Sequence, residues 1–247
     1  MGKLYKRLQE EIQRASRIIY ESETLQSMAP QINGSLRNFA LRVPEQISEC
    51  SGIVLFGKRI RSIVFTTDVA VIRNCNADAV FAVYPYTPQP IINEMLIHAA
   101  DVPVFTGVGG GLTQGKRVVN LAMFSEMQGA AGVVVNAPTS DKTIRELYDT
   151  IDIPIVATMV NAEGVREKVE HGAEILNVAA GSQTAQVVAK IRAIDSNIPI
   201  IATGGPTEES ITETIRAGAN AIIWSPPTNG EVFKPVMEAY RKGEKHP

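Results

Sequence analysis

The sequence predicts an α/β protein: a single (βα)8 TIM barrel with an N-terminal helical and hairpin extension. Three observations predict it. Eight short apolar runs alternate with amphipathic stretches from Ser62 onward, at a spacing of about 22 residues, the repeat of a βα unit. The runs are almost continuously apolar, which marks strands buried on both faces, as in a parallel sheet. The junctions also repeat. Ala130-Ala131-Gly132, His171-Gly172-Ala173 and Ala217-Gly218-Ala219 each place a helix-ending glycine before a strand. Asp101-Val102-Pro103, Asp152-Ile153-Pro154 and Asn197-Ile198-Pro199 start strands with a proline that removes no ladder bond.

In order, the predicted strands are Ile63–Thr67, Ala79–Tyr84, Val102–Thr106, Gly132–Asn136, Ile153–Thr158, Glu174–Val178, Ile198–Thr203 and Asn220–Trp224. Apolar residues three and four apart predict helices over Lys142–Ile151, Gly164–His171, Thr184–Ile194 and Glu208–Ala217. The first unit is the irregular one, because its helix, Val69–Cys75, is short. Gly52–Thr66 also reads as a hairpin turning at Phe56-Gly57-Lys58-Arg59, and Lys3–Ser27 carries a helical pattern with no strand of its own. Residues 1–61 are therefore expected to form an extension that caps the barrel bottom or joins protomers, with 62–247 as the barrel, one structural domain overall. A last helix near Val232–Arg241 is expected to pack back over the first unit.

Composition limits the function classes. The 247 residues are 45% hydrophobic and 20% charged, enough for a sizeable core, with a net charge of −2. No basic face for nucleic acid and no polybasic membrane anchor is visible, so neither partner is expected. Cys50 and Cys75 stand far apart in no metal-ligand spacing, which predicts two reduced thiols, buried or half-buried. Met1–Arg7 leads into no signal-peptide core and no apolar run reaches about 18 residues, so a cytoplasmic protein is expected.

Ligands of such barrels bind at the C-terminal ends of the strands, so candidates come from the eight loops there. The third loop, Gly107-Val108-Gly109-Gly110-Gly111-Leu112-Thr113-Gln114-Gly115-Lys116-Arg117, is the most distinctive. Its glycines, Gly109, Gly110 and Gly111, free backbone N–H groups for an anion, and Lys116 and Arg117 could offset the charge. Gly110 to Lys116 has the spacing of a nucleotide P-loop, but Arg117 stands where that motif needs Ser or Thr. Asp68 is an acid at a strand end, suited to act as general base and equally to cap the helix that follows. Asn136 and Asn177 end buried strands and either orient a ligand or anchor loops. His98, His171 and His246 fall away from the mouth, and no metal site is expected.

Ala202-Thr203-Gly204-Gly205-Pro206-Thr207-Glu208-Glu209, followed by a helix and Ala217-Gly218-Ala219, resembles the last two units of the phosphate-binding (βα)8 barrels. That group includes indole-3-glycerol-phosphate synthase, thiamine-phosphate synthase and the histidine-pathway barrels. The resemblance implies that Gly204 and Gly205 hold half of a phosphate site, with Ser225 in the eighth loop. That loop, Trp224-Ser225-Pro226-Pro227-Thr228-Asn229-Gly230, departs from the pattern because two prolines remove two donors.

The expectation is an enzyme acting on a small phosphorylated or carboxylated metabolite by acid–base chemistry of the isomerase or lyase type. Asp68 would be the base, with Asn136 and Asn177 orienting the substrate. No strand carries a Schiff-base lysine and no histidine is placed for a triad. No cofactor is expected, although flavin mononucleotide remains an alternative, as do a non-catalytic ligand-sensing barrel and a hydrolase. The partners expected are a small anionic ligand and, as an option, a second copy of the chain.

Overall fold

The structure, a computed structural model, describes residues 41–245. Eight strands form a closed parallel barrel in chain order, the last pairing with the first. They are β3 (Ser62–Phe65), β4 (Ala79–Ala82), β5 (Val104–Gly109), β6 (Gly132–Val135), β7 (Ile155–Met159), β8 (Ile175–Val178), β9 (Ile200–Thr203) and β10 (Ala221–Trp224). All eight lie within or beside the predicted runs. The helices that follow them are α1 (Val69–Arg73), α2 (Pro90–Ala99), α3 (Lys116–Met127), α4 (Asp141–Tyr148), α5 (Val165–Glu170), α6 (Thr184–Ile194), α7 (Glu208–Arg216) and α8 (Asn229–Arg241). The prolines at the entries of β5, β7 and β9 lose no bond, and their carbonyls still accept from Val80, Val133 and Leu176 of neighbouring strands.

The strand register arranges the lumen in layers. A (βα)8 barrel climbs about one residue per strand, so side chains at one height come from alternate strands. Taken with the pairings here, this puts Ala79, Gly132, Ile175 and Ala221 in the lowest layer and Ile63, Phe105, Val156 and Ile201 above them. Phe81, Val134, Asn177 and Ile223 form the third layer. The fourth, at the mouth, is Phe65, Gly107, Thr158 and Thr203. Phe65, Phe81 and Phe105 descend through three layers as a staircase, with centroids 6.4 and 6.3 Å apart. The lowest layer is small because Phe105 sits directly over Gly132, where an added Cβ would lie 2.9 Å from the ring.

The bottom of the lumen is closed by a hairpin, β1 (Ile53–Leu55) and β2 (Lys58–Ile60), whose Leu55 and Ile60 join the lumen cluster. Its turn is two residues, Phe56-Gly57, at φ 47° and 80°; Lys58 and Arg59, expected in the turn, already belong to β2. A two-residue turn with both φ positive matches the strand twist. Asn220 ties the hairpin to the barrel by donating to Ser51 Oγ and accepting from Gly52 N through its carbonyl. Arg192 crosses the same region, donating to the carbonyls of Gly218, Ser196 and Ile198 and to Asn220 Oδ1.

The predicted helix over Lys3–Ser27 lies outside the described residues. The last helix starts three residues earlier than expected. Its N-terminus does meet the first unit, through Asn229 and Asp68, but Ala239 alone of its residues is buried. Both cysteines are free and buried, and burial pushes the Cys50 thiol up to about 12. Among the described residues no helix is long and apolar enough to cross a membrane.

Gly132→Ala tests the layered lumen. The new methyl meets the Phe105 ring and the Pro154 carbonyl, so it should cost about 1–3 kcal/mol by chemical denaturation.

Candidate functional site

Among the described residues the C-terminal mouth has two clefts that matter here. The first, of about 460 Å³, opens over β4, β5 and β6 between the Tyr84–Pro88 loop and the glycine-rich loop. Its floor reaches Gly107 and Val134, and Asn136 stands on its rim. Gly107 belongs to the fourth layer and Val134 to the third, and Val83 lines the cleft beside them, 3.3 Å from where a Cβ on Gly107 would lie. The lining contains no charged side chain. Tyr84 is held in place because its hydroxyl accepts from Gln89 N at 2.9 Å.

Thr158 and Asn177 pair on successive strands, β7 and β8, and Asn136 directly follows β6. Asn177 Nδ2 donates to Thr158 Oγ1 at 3.2 Å, while Oδ1 is buried with no hydrogen-bond partner. Asn177 is only 5% exposed, whereas Asn136 is exposed at the rim.

In the glycine-rich loop the structure brings the glycines to the cleft and takes the two cations elsewhere. Gly109 and Gly110 have φ of 139° and 105°, and an added Cβ on Gly110 would strike Thr139 Oγ1 and Asn136 N. Gly110 N donates to Thr113 O and Gly109 O accepts from Asn136 N, so these groups close the loop upon the β6 exit. Gly111 and the fully exposed Leu112 form the cleft's outer lip. Lys116 lines a groove between α3 and α4 beside Glu146 and Asp149, and Arg117 is exposed on α3, lining neither mouth cleft.

Asp68 caps α1, accepting at Oδ1 from Ala70 N (2.8 Å) and Val71 N (3.3 Å). Its Oδ2 accepts from Asn229 Nδ2 at 2.5 Å. The carboxylate therefore clasps the first loop to the eighth at the mouth, and it lines neither cleft.

The second cleft, of about 640 Å³, lies over β9 and β10 and contains Gly205, Ser225, Trp224, Glu208 and Glu231. Gly204 is packing instead: a Cβ there would lie 2.7 Å from Ile222 and 2.8 Å from Ile211. The two helix N-termini beside this cleft are closed by their own side chains. Thr207 and Ser210 make a capping box on α7. On α8, Thr228 N and Oγ1 both donate to Glu231 Oε2, at 2.7 and 2.8 Å. Bonding to the Thr228 backbone, then to its hydroxyl, draws the Glu231 carboxyl below its ordinary range. Glu209 is lowered likewise by its own backbone N–H and then by Thr207. A cleft with carboxylates at both helix starts, and Pro226 and Pro227 on its wall, offers an anion little.

Sequence reading overlooked Phe65 as a mouth residue. It faces the lumen, yet 41% of it is exposed. Counting every second residue up β3 from buried Ile63 would have found it.

No protein-family model matches this chain, and no curated protein matches it. Solved structures do. Phosphoenolpyruvate phosphomutase from Streptomyces platensis subsp. rosaceus is similar at TM-score 0.58 and 15% identity, over 74% of this chain and 83% of that one. Thiamine phosphate pyrophosphorylase from Pyrococcus furiosus is similar at TM-score 0.52 and 16% identity, over 77% and 88%. Oxaloacetate acetylhydrolase bound to its product oxalate is similar at TM-score 0.56 and 13% identity, over 84% and 83%. These likenesses establish the (βα)8 barrel fold.

Two outcomes test this geometry. A carboxyl whose folded pKa lies below its ordinary 4.5 contributes stability above that pH and loses it as pH falls below it, so melting scans of Glu231→Gln should show a shallower acid loss than wild type. Asp68→Ala should lose about 1 kcal/mol by denaturation, and Asp68→Asn less, because asparagine also caps helices.

Proposed function

We propose that the chain is an enzyme acting on a small carbonyl- or carboxylate-bearing metabolite in the cleft over β4, β5 and β6. The chemistry is acid–base, of the isomerase or lyase kind. The observation that carries this reading is the division of the mouth. An uncharged cleft lined by Tyr84, Tyr86, Thr113 and Asn136 stands apart from one that holds Glu208 and Glu231, both at the end of the barrel where this fold places its ligands. Amides and hydroxyls of this kind orient a polarised carbonyl without a net charge of their own.

Asp68 lines neither cleft, so it takes the proton in this scheme from a substrate that extends beyond the first cleft to the end of β3. Asn229 and the α1 N-terminus hold its carboxylate in one orientation, and the other lone pair of Oδ2 remains for a substrate proton. By analogy of fold, the similar oxaloacetate acetylhydrolase, bound to oxalate, supports a compact planar acid as the substrate. A phosphate group is the less favoured part of the substrate, since the cleft over β9 and β10 presents Glu208 and Glu231. A non-catalytic sensor is the second reading, favoured by the uncharged lining of the first cleft.

Proton abstraction can be followed without knowing the product. Pyruvate, oxaloacetate and related 2-oxo acids incubated with the protein in D2O should exchange their C3 protons. Asp68→Asn should slow that exchange by about 10²–10⁴-fold while keeping a cooperative melting transition. Exchange that survives this substitution removes Asp68 as the base, and no exchange with any 2-oxo acid alongside tight binding turns the reading to the sensor.

A further inference from the structure

In a (βα)8 barrel the outer helices are held by packing against the strands. α8 lacks that support, because residues 41–50 take its place on the outside of β10. Leu41 pairs with Cys75 and bonds to Asn74 and Asn76 after α1, and Gln46 bonds to Glu208 at the start of α7. Between them, Ile47 is buried in the outer cluster that holds Ile222 of β10, and Val43 and Trp224 pack against that same cluster. α8 is left outside this strap, and of its 13 residues only Ala239 is buried.

A helix of that length is marginal in water without packing, and Pro235 takes away one of its backbone bonds. The capping box secures only its first turn. The side it turns outward is apolar. Phe233 is 61% exposed, and Met237, one turn further along the same side, is 41% exposed. Val69, next to the Asp68–Asn229 bond that joins α1 to α8, is exposed as well.

We infer that the segment Lys3–Ser27 of the same chain lies along α8 as an amphipathic helix and covers Phe233 and Met237. Three observations select this occupant. Leu4, Leu8, Ile12, Ala15 and Ile19 recur at three- and four-residue spacing, so the segment has one apolar stripe to bury. Its chain joins the strap at Leu41, beside the end of α1, the helix whose start is bonded to α8. The 13 residues between Ser27 and Leu41 reach about 40 Å when extended, against about 20 Å for the length of α8. The barrel bottom is already closed by β1 and β2, which leaves the flank at α8 as the surface in need of a partner.

Cross-linking from α8 in the full chain tests the contact. With a photoreactive phenylalanine analogue in place of Phe233, mass mapping should place the adduct within residues 3–27, and the product should run as a monomer under denaturing conditions. Hydrogen exchange reads the same contact independently. Leu8→Glu combined with Ile12→Glu should speed exchange of the α8 amides at least about tenfold while the barrel strands stay protected. Gln13→Glu, on the far side of that helix from its stripe, should leave α8 unchanged. No adduct within residues 3–27, a cross-linked dimer, or α8 exchange unaffected by the double substitution would overturn the inference, and the dimer would make a second copy of the chain the cover of α8.

Discussion

The register of the closed ring is the constraint from which the site follows. Because each strand is displaced by about one residue from its neighbour, every lumen layer takes its side chains from alternate strands, and a change at one position opens or fills a layer rather than a strand. Gly132 below Phe105 is the filled case, where a missing side chain makes room for a ring. Gly107 is the case at the mouth, where it lines the first cleft with Val83 and Val134 and a Cβ would meet Val83 at 3.3 Å. The same backbone supports both uses.

The mouth is unequal around its circumference. Over β9 and β10, where helix N-termini turn toward the ligand face, the chain uses its own threonines and glutamates to satisfy the free amides of α7 and α8. That region is rigidly capped and acidic. Over β4 to β6 the loops are held by glycine close contacts, with Gly110 against Asn136 and Thr139, and the space between them is uncharged. Asp68 connects the two halves by joining the first loop to Asn229 at the start of α8. Recognition by shape and by hydrogen-bond direction fits the first region, and charge recognition fits neither.

The barrel was readable in the sequence because its signals are local and repeated: apolar runs, glycine helix ends and proline entries recur in every unit or every second one. Asp68, Asn136, Asn177, Gly205 and Ser225 were recognisable as mouth residues for the same reason, since each directly follows or ends a run. Their roles were less accessible. Lys116 and Arg117 look like partners of the glycines in sequence, but α3 begins at Lys116 and its first turn carries Lys116 to the groove shared with α4. Gly204 and Gly205 look alike, yet one packs under Ile211 and Ile222 while the other lines a cleft. The capping of α8 by Glu231 depends on a side-chain rotamer, and the layer partners of Asn177 depend on ring closure. Neither is encoded within a short window. Phe65 went unnoticed because an aromatic residue ending a strand reads as core.

The central claim is that the ligand of this barrel binds in the uncharged cleft over β4 to β6. A crystal structure of the chain soaked with oxalate tests it most directly. The account predicts ligand density in that cleft, beside Asn136 and Val134. Density confined to the cleft over β9 and β10 would contradict it.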